Sequence, residues 1–297
     1  MASAPSDAPG GSVYDLGYRR YEGVRLGRRH AVTALYVQGL RSAFGLGRRT
    51  AAKIAPGILI AIALFPAMIQ LAIAALISDQ IEIIRHDEYY TMVAFVIALY
   101  CAVVAPDILG RDQRDNVLPL YFSRPLSRSD YALGKFAALA TAMLAITLLP
   151  QAVLFIGNGL AGNDLAGYAR ESWTDVGPIV ASAILGSALI GAVGAVIAAQ
   201  TPRRAYATVG IIVAFVLTIA VAAAITALDA TGTRWVALLT PFTLIEGVTA
   251  WLFGVELHPN TIAAAAAFTG PEYAMAMLVA IALGLALLIL RYRRIRA

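Results

Sequence analysis

The sequence predicts an all-α polytopic membrane protein. It has six transmembrane helices, a cytosolic amphipathic N-terminal helix, and short re-entrant or interfacial helices on the outer side before the last span. Three observations support this fold class. Hydrophobic residues make up 60% of the 297 residues and charged residues only 14%, a composition that soluble domains do not show. Six apolar runs are each long enough to cross a bilayer. The basic residues concentrate in alternate loops, as in multi-pass membrane proteins.

The first 53 residues form a basic cytosolic region that precedes the six-span transmembrane part, residues 54–297. Its start, residues 1–13, is rich in Pro, Gly, Ser and Ala and predicts a disordered segment that lacks the apolar core of a secretory signal. Between Val32 and Phe44, apolar residues recur every three or four positions, which indicates an amphipathic helix on the inner leaflet, near anionic lipids. A nucleic-acid-binding arm is the alternative, but aromatic residues do not alternate with the basic ones, so we expect no nucleic-acid partner.

The six apolar runs are assigned as membrane spans because each exceeds the length needed to cross about 30 Å of hydrocarbon at ~1.5 Å per residue. Their approximate bounds are 54–77, 90–109, 131–156, 176–199, 205–228 and 271–290. An even number of spans places both termini on one side. Of the 23 Lys and Arg residues, only Arg85, Arg170 and Arg234 fall in the loops assigned to the outside. This asymmetry predicts a cytoplasmic (inner) membrane protein with both termini in the cytosol.

The interiors of the predicted spans are almost free of ionisable side chains. Their strongest polar groups are Gln70 and Gln151, whereas ion-coupled transporters need charged or unwound ion sites near the membrane centre. The three histidines are scattered, and the Gly134-Lys135 pair lacks the other residues of a phosphate-binding loop. We therefore expect no catalytic, metal-binding or cofactor-binding residues in this chain. Two functions would need such residues, that of a membrane-embedded enzyme acting on lipid substrates and that of an ion-coupled secondary transporter. Both are kept as alternatives.

Small residues repeat every four positions in the fourth and fifth runs. They include Ser187, Gly191 and Ala195 in the fourth and Gly210 and Ala214 in the fifth. This spacing lets helix backbones approach closely. It predicts either a compact bundle within one chain or a contact between two subunits.

The long segment between the fifth and sixth runs contains apolar pieces that are too short to span a membrane. One of them begins at Pro241 and Phe242 and carries a single charge, Glu246. Pieces of this length are typical of re-entrant or interfacial helices. For Glu246, an exposed position on a helix face is the simpler interpretation, and a contact with substrate is the alternative.

The polar stretch from Asp107 to Lys135 separates the second and third runs and has an apolar patch at its centre. Charged residues surround residues 117–122, so the loop has surface to bury as well as charges to hydrate. This combination indicates a docking surface, and a plain charged connector is the alternative. The candidate docking residues are Arg111, Asp112, Leu118, Leu120, Tyr121, Phe122, Arg124 and Arg128.

The same stretch, with its step Ser123-Arg124-Pro125-Leu126-Ser127-Arg128, resembles the cytosolic loop of ABC-2 type permeases, the membrane subunits of a class of ABC transporters. The basic N-terminal helix, the six runs and the outer Thr240-Pro241-Phe242 are also similar to that family. The resemblance implies a permease subunit of an ATP-driven exporter that is not itself an enzyme.

The resemblance also implies the partners of the chain. A second permease, the same chain or a homologue, would complete the transporter, and two separate P-loop ATPase subunits would bind ATP and Mg²⁺. The family's coupling loop maps onto Gly110 to Asp130, so the candidate docking residues would contact the ATPase. Membrane lipids are the remaining expected partner.

Overall fold

The computed structural model describes residues 23, 26–47, 50–76, 84–161, 165–228 and 233–294. The predicted disordered start, residues 1–13, and the predicted end of the first span at Ile77 lie outside these residues. The described part contains α-helices and one π-helical turn, Pro106–Gly110. The α-helices are α1 Arg28–Ala43, α2 Ala51–Leu76, α3 His86–Ala105, α4 Arg111–Arg114, α5 Leu118–Phe122, α6 Arg128–Ala161, α7 Leu165–Glu171, α8 Trp173–Ala198, α9 Arg204–Ala227, α10 Thr233–Ala237, α11 Pro241–Phe253, α12 Ile262–Ala266 and α13 Gly270–Arg294.

Six helices of the described chain are long and apolar enough to cross a membrane, which confirms the predicted number of spans. They are Ala52–Ile73, His86–Arg114, Arg128–Gly159, Trp173–Ala198, Arg204–Ala227 and Gly270–Arg294. Several are longer than the apolar runs that revealed them. The second span begins at His86 instead of residue 90. Asp87 and Glu88 lie in its first turn, where negative charges interact favourably with the helix dipole and stabilise the helix.

Helix α6 begins at a reciprocal cap that also holds the start of α1. The backbone N–H of Asp130 donates to Ser127 Oγ at 3.1 Å, and the N–H of Ser127 donates to Asp130 Oδ2 at 3.0 Å, the arrangement of a capping box. The same carboxylate accepts two hydrogen bonds of 2.7 Å from the Arg28 guanidinium. The first turns of α1 and α6 are therefore tied together.

Helix α1 packs along α6 through the apolar face that the sequence assigned to lipid. Leu35 is only 2% exposed, and a methyl group added at Gly39 would lie 2.7 Å from Ala138 Cβ of α6. Tyr36 Oη donates to Thr141 Oγ1 at 3.1 Å. Part of the apolar face thus contacts protein, whereas the position of α1 relative to a membrane stays a prediction.

The small residues of the fourth run pack inside the chain. In α8, Ser187 is 1% exposed and Ala195 is fully buried, while a methyl group at Gly191 would meet Ala140 of α6 at 3.7 Å. In α9, one at Gly210 would lie 3.2 Å from Ile197 of α8, and Ala214 is half-buried. Within this chain the fourth-run stripe lies in close helix contacts, and a contact between two subunits stays a prediction.

Three short helices, α10, α11 and α12, connect the fifth and sixth spans. Pro241 stands in the first turn of α11, where a missing N–H costs nothing, and the Phe242 ring packs against Phe215 of α9 at 5.6 Å. Helix α11 ends at Gly254, whose φ of 66° is left-handed. Its inner face is buried, and Gly247 leaves room for the Tyr273 ring of α13. The described part of this segment contains short helices, and their re-entrant or interfacial position in a membrane stays a prediction.

Candidate functional site

The candidate site is the 110–130 segment, which leaves the second span at a π-helical turn. Pro106 opens this turn and has no backbone N–H to donate. Between α4 and α5 the chain reverses at Asn116, whose φ of 51° is left-handed, a conformation that asparagine tolerates better than most residues. Pro119 then stands in the first turn of α5. These residues fold the segment into two short helices beside α1.

A buried ion pair anchors the segment to α6. Lys135 Nζ lies 2.7 Å from Asp112 Oδ2, and the two side chains are only 4% and 9% exposed. Tyr131 Oη donates to the same carboxylate oxygen at 2.7 Å. A buried charge is tolerated when it is paired and hydrogen-bonded in this way. Asp112, which was expected on the docking surface, therefore faces inward, and its carboxylate contacts side chains of α6.

The end of the last helix completes this anchor. The rings of Tyr131 and Tyr292 meet edge to face at 5.0 Å, and Tyr292 is fully buried. Gln113 Nε2 donates to Tyr292 Oη and to the carbonyl of Ala199, both at 3.2 Å. The segment is thus fixed to the ends of α6, α8 and α13 on one side of the bundle. Charge patterns alone did not reveal these contacts.

The outer face of α5 stays open. Leu120 is 67% exposed and Arg124 is exposed beside it, whereas Leu118 is 6% exposed and belongs to the core. Tyr121 and Phe122 are half-buried because their rings pack against Tyr131 at 5.6 and 5.8 Å.

The two remaining docking candidates differ in what they contact. Arg128 covers the Phe122 ring with its guanidinium at 5.6 Å and donates to the carbonyl of Arg293 at 2.9 Å. Arg111 lies 3.4 Å from Asp115, with both side chains about half exposed. Of the eight docking candidates, Leu120, Arg124 and Arg111 are the most available to a partner. Asp112 and Leu118 instead hold the segment in place.

A groove of about 460 Å³ separates α1 from the segment. Gln38 and Ser42 of α1 form one wall, and Arg111, Asp115, Leu120, Tyr121 and Arg124 contribute to the other. The groove therefore presents apolar surface beside both signs of charge. Among the described residues, no three His, Cys, Asp or Glu side chains stand close enough to hold a metal ion. The chemistry of this surface suits contact with another protein.

Comparison with known families gives a match over most of the chain. A family model described as an ABC-2 family transporter protein matches residues 51–291. The match contains the 110–130 segment and begins after α1. No curated protein matches the chain.

Proposed function

Because the chain belongs to the ABC-2 family of transporter proteins, we propose that it is the transmembrane permease subunit of an ATP-driven exporter. Two separate P-loop ATPase subunits would dock on the 110–130 segment and supply ATP hydrolysis with Mg²⁺. A second permease, either this chain or a homologue, would complete the translocation path. In this arrangement the segment lies on the cytosolic side of the inner membrane, and both termini lie on the same side.

The observation that carries the proposal is an exposed apolar side chain on a rigidly held helix. Leu120 is 67% exposed, although the segment around it is fixed by the buried Asp112–Lys135 pair. Protein interfaces commonly combine a central apolar contact with flanking arginines. A helix that is held firmly at its base can also pass a displacement to the spans that hold it. Both properties are required of an element that couples ATP hydrolysis to transport.

Replacing Leu120 with aspartate is expected to weaken binding of the ATPase by about tenfold or more, because it places a charge in the centre of the apolar contact. The full chain is purified from membranes with the ATPase that accompanies it, and the ATPase retained per permease is measured. Leu120 is exposed, so the substitution leaves the fold intact.

The matched control is Leu46→Asp, since Leu46 is 55% exposed and precedes the first span outside the groove. It should retain the ATPase. Equal retention by the Leu120 variant and the wild type would contradict docking at α5, and the segment would then be a charged connector.

The proposed orientation predicts opposite accessibility at the two ends of the bundle. The only cysteine, Cys101, is fully buried, so a Cys101→Ala background carries single reporters. Glu256→Cys should react with a membrane-impermeant maleimide in intact cells, and Arg124→Cys only after permeabilisation, because both positions are exposed but lie on opposite sides. Labelling of the residue-124 reporter in intact cells would reverse the orientation.

A further inference from the structure

A second cavity lies at the other end of the second span from the 110–130 segment. Its volume is about 730 Å³, and its walls come from three parts of the chain, residues 85–92, 246–250 and 255–261. We call it the outer cavity. The first part is the N-terminal end of α3, the second is the middle of α11, and the third is the loop before α12.

The outer cavity carries an excess of negative charge. Its wall includes the carboxylates of Asp87, Glu88, Glu246 and Glu256, against one guanidinium, that of Arg85, and the imidazole of His258. Arg85 lies 3.1 Å from Asp87 and so neutralises one of the four. Within the described chain, the other three form no ion pair with Lys or Arg, although Glu246 lies near the His258 imidazole and is hydrogen-bonded to Thr261. Burial raises the pKa of the Glu246 carboxyl, and this effect exceeds the opposite effects of a hydrogen bond with Thr261 and of the nearby His258 imidazole.

Thr249 supplies an independent observation. It is 2% exposed and lines the outer cavity, yet its Oγ1 has no hydrogen-bond partner in the described structure. A threonine inside a helix usually donates to the carbonyl four residues earlier. Thr147, Thr218 and Thr226 all do so in this protein. The Thr249 hydroxyl, one turn from Glu246 on the same face of α11, is therefore an unused polar group in the cavity wall.

The rest of the wall is largely aliphatic. Met92, Ala250, Val255, Leu257 and Pro259 contribute apolar surface between the carboxylates. A small inorganic cation would gain nothing from such surface and would prefer a cluster of oxygen ligands. A molecule that carries one positive charge on an apolar body can use both parts of the wall.

We propose that the outer cavity binds an amphiphilic organic cation through its ammonium group. The ammonium N–H groups donate to the Glu246 carboxylate and to Thr249 Oγ1, while the apolar body lies against Met92 and Leu257. Charge-assisted hydrogen bonds of this kind are stronger than neutral ones, especially where water is excluded. This binding site goes beyond the proposed transport role, because it involves neither the ATPase nor the 110–130 segment.

The test uses dansylcadaverine, a fluorescent primary ammonium on an aromatic body, and its N-acetylated form, which keeps the body and loses the charge. The full chain is placed in nanodiscs of phosphatidylcholine, and fluorescence anisotropy follows each titration. We expect saturable binding of the amine and at least tenfold weaker binding of the acetylated probe, the effect of about one charged hydrogen bond.

Two variants locate the binding groups. Glu246→Gln keeps the shape of the side chain and should weaken amine binding by about tenfold, whereas Thr249→Val should weaken it by about threefold to tenfold. If Glu246→Gln fails to fold, Thr249→Val still tests the site. The matched control is Asp175→Asn, which removes an acid at the same end of the bundle but outside the outer cavity. It should bind the amine as the wild type does.

A further arm distinguishes two sources of the ammonium group. Phosphatidylethanolamine is added to the nanodisc, and competition with the probe assigns the site to a lipid headgroup. Unchanged affinity assigns it to a free cationic amphiphile, and both results are consistent with the site. Equal binding of the amine and the acetylated probe would overturn the proposal. So would an equal loss of affinity in the Glu246→Gln and Asp175→Asn variants.

Discussion

Replacing Lys135 with methionine is expected to lower the free energy of unfolding by about 3–5 kcal/mol, because the substitution leaves the Asp112 carboxylate buried without its cation. Lys135 Nζ lies 2.7 Å from that carboxylate, and neither side chain is more than 9% exposed. The expected readout is a drop of several degrees in the thermal unfolding midpoint of the purified protein. If an ATPase docks on the 110–130 segment as proposed, its association should also fall, since the segment loses its anchor.

Two further variants separate the ion pair from general effects of substitution. Arg111→Met breaks the Arg111–Asp115 pair, whose side chains are 48% and 45% exposed, and should cost less than about 1 kcal/mol. Asp112→Asn combined with Lys135→Met removes both charges, and the new amide can still accept the hydrogen bond of Tyr131. This double variant should be more stable than Lys135→Met alone. If it is equally destabilised, the buried charge is not the cause.

Adding a single methyl group at Gly194 is expected to destabilise the bundle by about 1–3 kcal/mol through overpacking. The added Cβ would overlap Cys101 Sγ of α3, and both residues are buried where α3 and α8 cross. The thermal unfolding midpoint of Gly194→Ala measures this effect.

A second substitution should remove the effect of Gly194→Ala. In a Cys101→Ala background the overlapping sulfur is absent, so Gly194→Ala should have almost no further effect on the midpoint, and the double-mutant cycle should show strong coupling. Gly186→Ala is the matched control, because its added methyl group would be 3.8 Å from the nearest atom, an ordinary contact with Ile245. Equal destabilisation by Gly186→Ala would indicate that α8 is destabilised by any glycine-to-alanine substitution, and not by the overlap with Cys101.

The six spans could be predicted from sequence because hydrocarbon imposes one requirement, a long apolar run, that composition reveals directly. Apolar runs do not define the ends of the spans. The helices continue into polar flanks, as at His86 and Arg128, where capping and interactions with the helix dipole replace hydrophobicity as the stabilising factors.

The anchor of the candidate site could not be predicted, because Asp112 and Lys135 resemble the other charges of a cytosolic loop. The sequence shows the sign of a charge but not the element that it faces, so the pattern predicts Asp112 on the docking surface and does not reveal its buried contact with Lys135. The same limit applies to Leu35 of α1, since an apolar helix face has the same pattern whether it contacts lipid or protein. The proposed contact with an ATPase uses Leu120 and Arg124 because both side chains are exposed.

The second span has a mechanical consequence. From His86 to Arg114 it is a continuous helical rod of 29 residues, about 43 Å long at ~1.5 Å per residue. One end is α4, which begins the 110–130 segment, and the other end contributes Asp87 and Glu88 to the wall of the outer cavity. Helices are stiff along their axis, so a push of an ångström on one end displaces the other end by a similar amount. The π-helical turn at residues 106–110 is the only departure from α geometry along this rod, and it is the point at which the rod can bend instead of slide.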